Sequence, residues 1–190
     1  MKFYESGDNR KPVIFLFPGT CCLYSSFDHV LDGLHSYFYT VTVSYDGFDP
    51  NEKTEFYSME DECEKIEQEI RKKYGGRIYL VAKIQSSMVV PFMYKMVHTG
   101  TLPKFMQKKL DKTDGGKKEL YNGFFNMFGI GKGGSPWITK QSICNQFYSD
   151  LVTKVQHGID VPGTTIHVFY ATKMGEKYEK RYCTYFKNPD

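Results

Sequence analysis

The run Val13-Ile14-Phe15-Leu16-Phe17 holds five apolar side chains in succession and stops at Pro18-Gly19. Side chains alternate across a strand, so an unbroken apolar run puts both faces in a core, as in an inner strand of a parallel sheet covered on each side. Such a strand requires covering layers, and the chain supplies them. Ser25 and Ser26 offer a cap, after which Phe27, Val30, Leu31, Leu34 and Phe38 share one helical face. A β-branched and aromatic run from Tyr39 to Tyr45 ends at the turn signal Asp46-Gly47. Ser58 stands three residues before Asp61 as a capping arrangement, and Met59, Cys63, Ile66, Ile70 and Tyr74 line the next helix as far as Gly75-Gly76. Ile78 to Ala82 forms the next strand. Alternation of strand and helix in this order predicts a parallel sheet with helices on both faces.

From Lys83 the rhythm changes to helical spacing: Met88, Val89, Phe92, Met93 and Met96, then Leu102 to Leu110, then Ile143, Phe147, Leu151 and Val155. A further strand is expected at Thr165 to Ala171 and a last helix at Tyr178 to Phe186. The expected organisation is a core made of residues 1–82 and 159–190, with residues 83–158 inserted as a helical lid. The Met-rich stretch from Met88 to Met106 suits either an acyl pocket or ordinary packing on the sheet.

Composition excludes several function classes. The charge of +3 is spread over 25 basic and 22 acidic residues without a dense basic block, so no nucleic acid partner is expected. The five cysteines, Cys21, Cys22, Cys63, Cys144 and Cys183, form no C-x-x-C pair, which suits reduced thiols and predicts no zinc site. No histidine pair has the spacing of a helical metal site, and Gly129 to Gly134 lacks the strand and the Lys-Ser/Thr ending of a phosphate loop. No cofactor is expected. Neither a leader segment nor a stretch of roughly 18 apolar residues is present, so the expectation is a cytoplasmic protein without a membrane span.

Phe15-Leu16-Phe17-Pro18-Gly19-Thr20, the loop Ser44 to Asp49 and the segment Thr165 to Gly175 together resemble the α/β-hydrolase superfamily, specifically its small bacterial lipase- or esterase-like members. The resemblance implies an incomplete α/β-hydrolase-like parallel sheet flanked by helices, with a helical lid. It also implies that Thr20 or Cys21 supplies oxyanion-hole donors and that Glu176 is the triad acid. Two motifs depart from the family pattern. Where the family has G-x-S-x-G, this chain has Lys83-Ile84-Gln85-Ser86-Ser87, and a Gln85 amide cannot attack an ester carbonyl. No histidine follows His167 to act as general base in the family's chain order.

Each candidate also has a plain reading. Ser86 is either a displaced nucleophile or, with Ser87, the cap of the following helix. Cys21 and Cys22 are either activated thiols or small buried ones, and Glu176 either orients a histidine or is an exposed residue among lysines. The expectation is a relative of carboxylic ester hydrolases with impaired or absent catalysis. The alternatives are a non-catalytic module that binds an acyl-like ligand or protein partner, and a deletion product that self-associates through open sheet edges.

Overall fold

A computed structural model describes residues 1–75, 78–82, 90–99, 136–154, 157–160, 165, 180 and 183–187. By compactness the chain divides into two units, Met1–Val152 and Thr153–Asp190. The first contains strands β1 (Lys2–Ser6), β2 (Val13–Phe17), β3 (Tyr39–Ser44) and β4 (Ile78–Ala82), with helices α1 (Asp28–His35), α2 (Met59–Lys73), α3 (Val90–Thr99) and α4 (Lys140–Val152). A short 3-10 turn, Tyr24–Phe27, leads into α1.

The sheet has the order β1-β3-β2-β4. Strand β2 pairs in parallel with β3 on one side and β4 on the other, so the apolar run lies where its sequence demands. Ile14, Phe15 and Leu16 are all buried, which three successive residues achieve only with both faces covered. Strand β1 was not read from the sequence. It adds antiparallel to β3, with Phe3 opposite Val43 and Ser6 opposite Thr40, and makes the sheet mixed where a parallel one was expected.

One face of the sheet carries Phe3, Phe15, Val41 and Val43. Met59, Ile66, Ile70 and Tyr74 of α2 and its end pack on this core, together with Ile143 and Phe147 of α4 and Met96 of α3. Tyr74 meets the Phe15 ring edge-on at 5.2 Å. The other face is held by α1 and the turn before it. Tyr24 stacks on Tyr4 at 4.0 Å, and His35 Nε2 reaches Ser6 Oγ at 2.9 Å and Thr40 Oγ1 at 3.1 Å. The described structure is therefore an α/β sheet with helices on both faces.

Helix α2 starts as its sequence indicates. The Asp61 N–H donates to Ser58 Oγ at 3.2 Å; acidic residues fill the first turn and Arg71, Lys72 and Lys73 the last, matching the helix dipole. Its buried face differs by one position. Cys63 is exposed and Glu62 is buried, because Glu62 Oε2 accepts the Asp46 N–H at 3.1 Å and so satisfies a backbone donor beyond β3.

Of the expected lid, α3 and α4 are described, and both contribute to the core. In the second unit Ile159 forms a parallel bridge with Phe186, a residue expected to end a helix, and the His157 ring stacks on Tyr185 at 5.1 Å. Of the expected strand Thr165 to Ala171, residues 166–171 lie outside the described residues. Among the described residues no helix is long and apolar enough to cross a membrane.

Candidate functional site

The chain leaves β2 towards β3 and later crosses to β4 on the opposite side, so the winding reverses at the carboxyl end of β2. That is where open α/β sheets form their ligand crevices. The loop emerging there is residues 18–23, which contains the two expected oxyanion donors. It is closed by the Cys22 N–H donating to the Gly19 carbonyl at 2.9 Å. Thr20 and Cys21 occupy the corners of this turn, and Cys21 has φ +57°, the only positive φ at a non-glycine residue among those described. A β-turn with positive φ at its third position favours glycine, because a Cβ there crowds the backbone. The surroundings must hold Cys21 in place.

They do so through α4. The Cys21 N–H donates to Gln146 Oε1 at 2.6 Å, and Thr20 Oγ1 donates to Asp150 Oδ2 at 2.6 Å. Gln146 and Asp150 are four residues apart, one turn of helix, so neighbouring points on one face grip neighbouring residues of the loop. Gln146 and Cys21 are 1% and 3% exposed, which leaves water little access to this bond. Of the two backbone donors expected in the turn, the Cys21 amide is bonded to Gln146, while the bond from Thr20 to Asp150 is made by its hydroxyl. Burial, and then the charge of Asp150, push the Cys21 thiol well above its ordinary pKa, which disfavours a thiolate. Burial also raises the Asp150 carboxyl, with the Thr20 hydrogen bond pulling the other way.

Helix α4 binds the next loop as well. Ser142 Oγ accepts the Phe56 N–H at 3.1 Å, Asn145 Nδ2 donates to the Phe56 carbonyl at 2.8 Å, and Ser149 Oγ accepts the Met59 N–H at 3.2 Å. Its buried side is mixed: Ile143 and Phe147 enter the apolar core, while Ser142, Gln146 and Ser149 meet backbone groups of loops. Leu151, expected on the apolar face, is exposed. The apolar stripe of this helix is visible in its spacing, whereas the polar one is not, because its partners lie more than eighty residues upstream. Ser86 and Glu176, the expected nucleophile and acid, lie outside the described residues.

Two other groupings have plain roles. Carboxylate oxygens of Asp46, Asp61 and Glu62 lie within 4.8 Å of one another, and the Lys65 ammonium contacts all three residues, at 2.5 Å from Asp46 and 3.3 Å from Glu62. Burial would raise Asp46, but Lys65 and the Met1 amino group outweigh it and hold the carboxyl low. A lysine already supplies the cation of this cluster. A groove of about 470 Å³ is lined by residues 52–55, Trp137 and Thr139. Among the described residues the buried Trp137 indole N–H has no hydrogen-bond partner.

No protein-family model matches the chain, and no curated protein matches it in sequence. Among solved structures the chain is similar to a protein assigned to the alpha/beta hydrolase family from Desulfitobacterium hafniense, at 11% identity and a TM-score of 0.47, covering 78% of this chain and 71% of that one. It is also similar to a hydrolase from Pseudomonas aeruginosa PA01, at 13% identity and a TM-score of 0.43, covering 80% and 69%. Likeness at this level concerns the general course of the chain and carries no residue role across.

Proposed function

We propose that this chain is related to the carboxylic ester hydrolases and hydrolyses such esters negligibly in the described state. The supporting observation is the bond from the Cys21 amide to Gln146. In acyl transfer of this kind a serine Oγ adds to the ester carbonyl carbon, and the carbonyl π electrons move onto oxygen, where backbone N–H groups hold the oxyanion. The alkoxide then leaves with a proton, and water releases the acid from the acyl-enzyme. While it is bonded to the Gln146 carboxamide, that amide does not serve the oxyanion. Gln85 at the nucleophile position of Lys83-Ile84-Gln85-Ser86-Ser87 supports the same reading, since a carboxamide lacks the hydroxyl that must attack.

The test is release of p-nitrophenol from p-nitrophenyl butyrate, combined with labelling by a fluorophosphonate and mapping of the labelled peptide. Turnover at or below the residual level left by binding and backbone donors is expected, with no labelled serine. Turnover that Ser86→Ala abolishes, with the label on Ser86, would overturn the reading. Loss of that turnover in Glu176→Gln would then give Glu176 the role of triad acid.

A further inference from the structure

Resting on that reading of the Thr20-Cys21 turn, we propose that Gln146 is a built-in stand-in for a ligand. Its carboxamide oxygen fills the place of an acyl carbonyl oxygen, and the face of α4 that carries it is a latch which a neutral carbonyl compound, an amide or an ester, displaces. Gln146 presents the chemistry that such a ligand would present: a planar carbonyl oxygen 2.6 Å from a buried backbone donor. The turn it holds keeps a side-chain-bearing residue at φ +57°, a conformation that persists where the surroundings impose it and that recurs at ligand-binding sites.

Gln146 and Asp150 hold adjacent loop residues from one helical face, so a ligand that takes one contact competes at the site of both. Ser142, Asn145 and Ser149 bind Phe56 and Met59 separately and keep the helix attached.

Charge selects the ligand. Asp150 Oδ2 lies 2.6 Å from the hydroxyl of Thr20, the residue beside Cys21. A carboxylate bound at the Cys21 amide would add a second negative charge close by, whereas an uncharged carbonyl would not. The site therefore discriminates by repulsion as well as by fit.

The experiment follows the Cys21 amide by NMR in the full chain, with the Val41 amide of the sheet as control. In the natural sequence Cys21 should exchange slowly with solvent, and Gln146→Ala should speed that exchange about tenfold while leaving Val41 unchanged. Butyramide should then give a saturable shift at Cys21 in Gln146→Ala at concentrations well below those needed for the natural sequence, and butyrate should give none. If Gln146→Ala does not fold, Gln146→Met keeps the side-chain volume without the acceptor, and the same loss of Cys21 protection is expected. Equal Cys21 exchange in the natural sequence and Gln146→Met, or no butyramide shift in folded Gln146→Ala, overturns the latch. Ester hydrolysis by the natural sequence, with Cys21 protection and the butyramide response intact, would instead sink only the reading of negligible catalysis.

Discussion

The loops that leave β2 and β3 meet the same helix; α4 hydrogen-bonds to both, and the β3 loop has a steric lock in addition. At Gly47 the φ is +78°, and a Cβ built there would lie 2.3 Å from Ser142 Oγ and 2.9 Å from the Phe56 nitrogen. That contact depends on the absence of a side chain, so it is a lock made by shape. At Cys21 a side chain is present at a similar φ, and hydrogen bonds donated by the Cys21 N–H to Gln146 and by the Thr20 hydroxyl to Asp150 do the holding. Hydrogen bonds can be exchanged for bonds to something else, whereas steric fit cannot. The β2 loop therefore lacks the steric lock that Gly47 gives the β3 loop, which is why the proposed latch is placed at the β2 loop.

The largest effect should come from the shape lock. Gly47→Ala combines a disfavoured φ with overlap against a buried hydroxyl and backbone, and should cost roughly 2–4 kcal/mol of stability. Chemical denaturation measures it. A loss below about 1 kcal/mol would mean that α4 yields at Ser142 as readily as at Gln146, and the contrast would fail.

A smaller effect should appear in the dependence of stability on pH. Burial raises Asp150 in the folded protein, so the native state binds this proton more tightly than the unfolded chain does. Its contribution is therefore most favourable below the unfolded carboxyl pKa of about 3.9 and is lost as pH rises through the raised folded value. Asp46 has the opposite sign, since its folded pKa is lowered and its contribution is lost as pH falls. Asp150→Asn keeps an acceptor for Thr20, so comparing denaturation of the two proteins from pH 4 to 7 isolates the first effect. The variant should gain on the natural sequence as pH rises. A constant difference would show that Asp150 titrates alike in both states.

The smallest effect is expected at Cys21 itself. Cys21→Gly relieves the positive φ but removes a thiol packed in the core, and the opposing terms should leave stability within about 1 kcal/mol of the original. A large loss would assign the residue to packing and deny that the turn is held under strain.

Much of the sheet could be read directly because burial and periodicity are local signals. Ile14, Phe15 and Leu16 announce an inner strand, and Ser58 announces the start of α2. Strand β1 escaped for a physical reason: as an edge strand it needs only one neighbour, and its Glu5 is satisfied by the hydroxyls of Tyr39 at 2.7 Å and Tyr74 at 2.6 Å in place of an apolar partner. Glu62 misled in the same way, since a buried carboxylate looks like a solvated one until its backbone donor is known. At the candidate site the turn residues Thr20 and Cys21 were singled out by what the resemblance carried by Phe15 to Thr20 implies. Gln146 and Asp150 were not, because polar residues on a helix show the same pattern whether they meet water or a distant loop.

The bond between Cys21 and Gln146 joins residues 125 positions apart, and this sets an order of events during synthesis. At translation rates of about 5–20 residues per second, the β2 turn exists for roughly 6–25 s before its helical partner has even been made. Until residue 146 has been added, the Cys21 amide has no Gln146 to bond to. The turn's hydrogen-bonded form is thus completed only after α4 has been made.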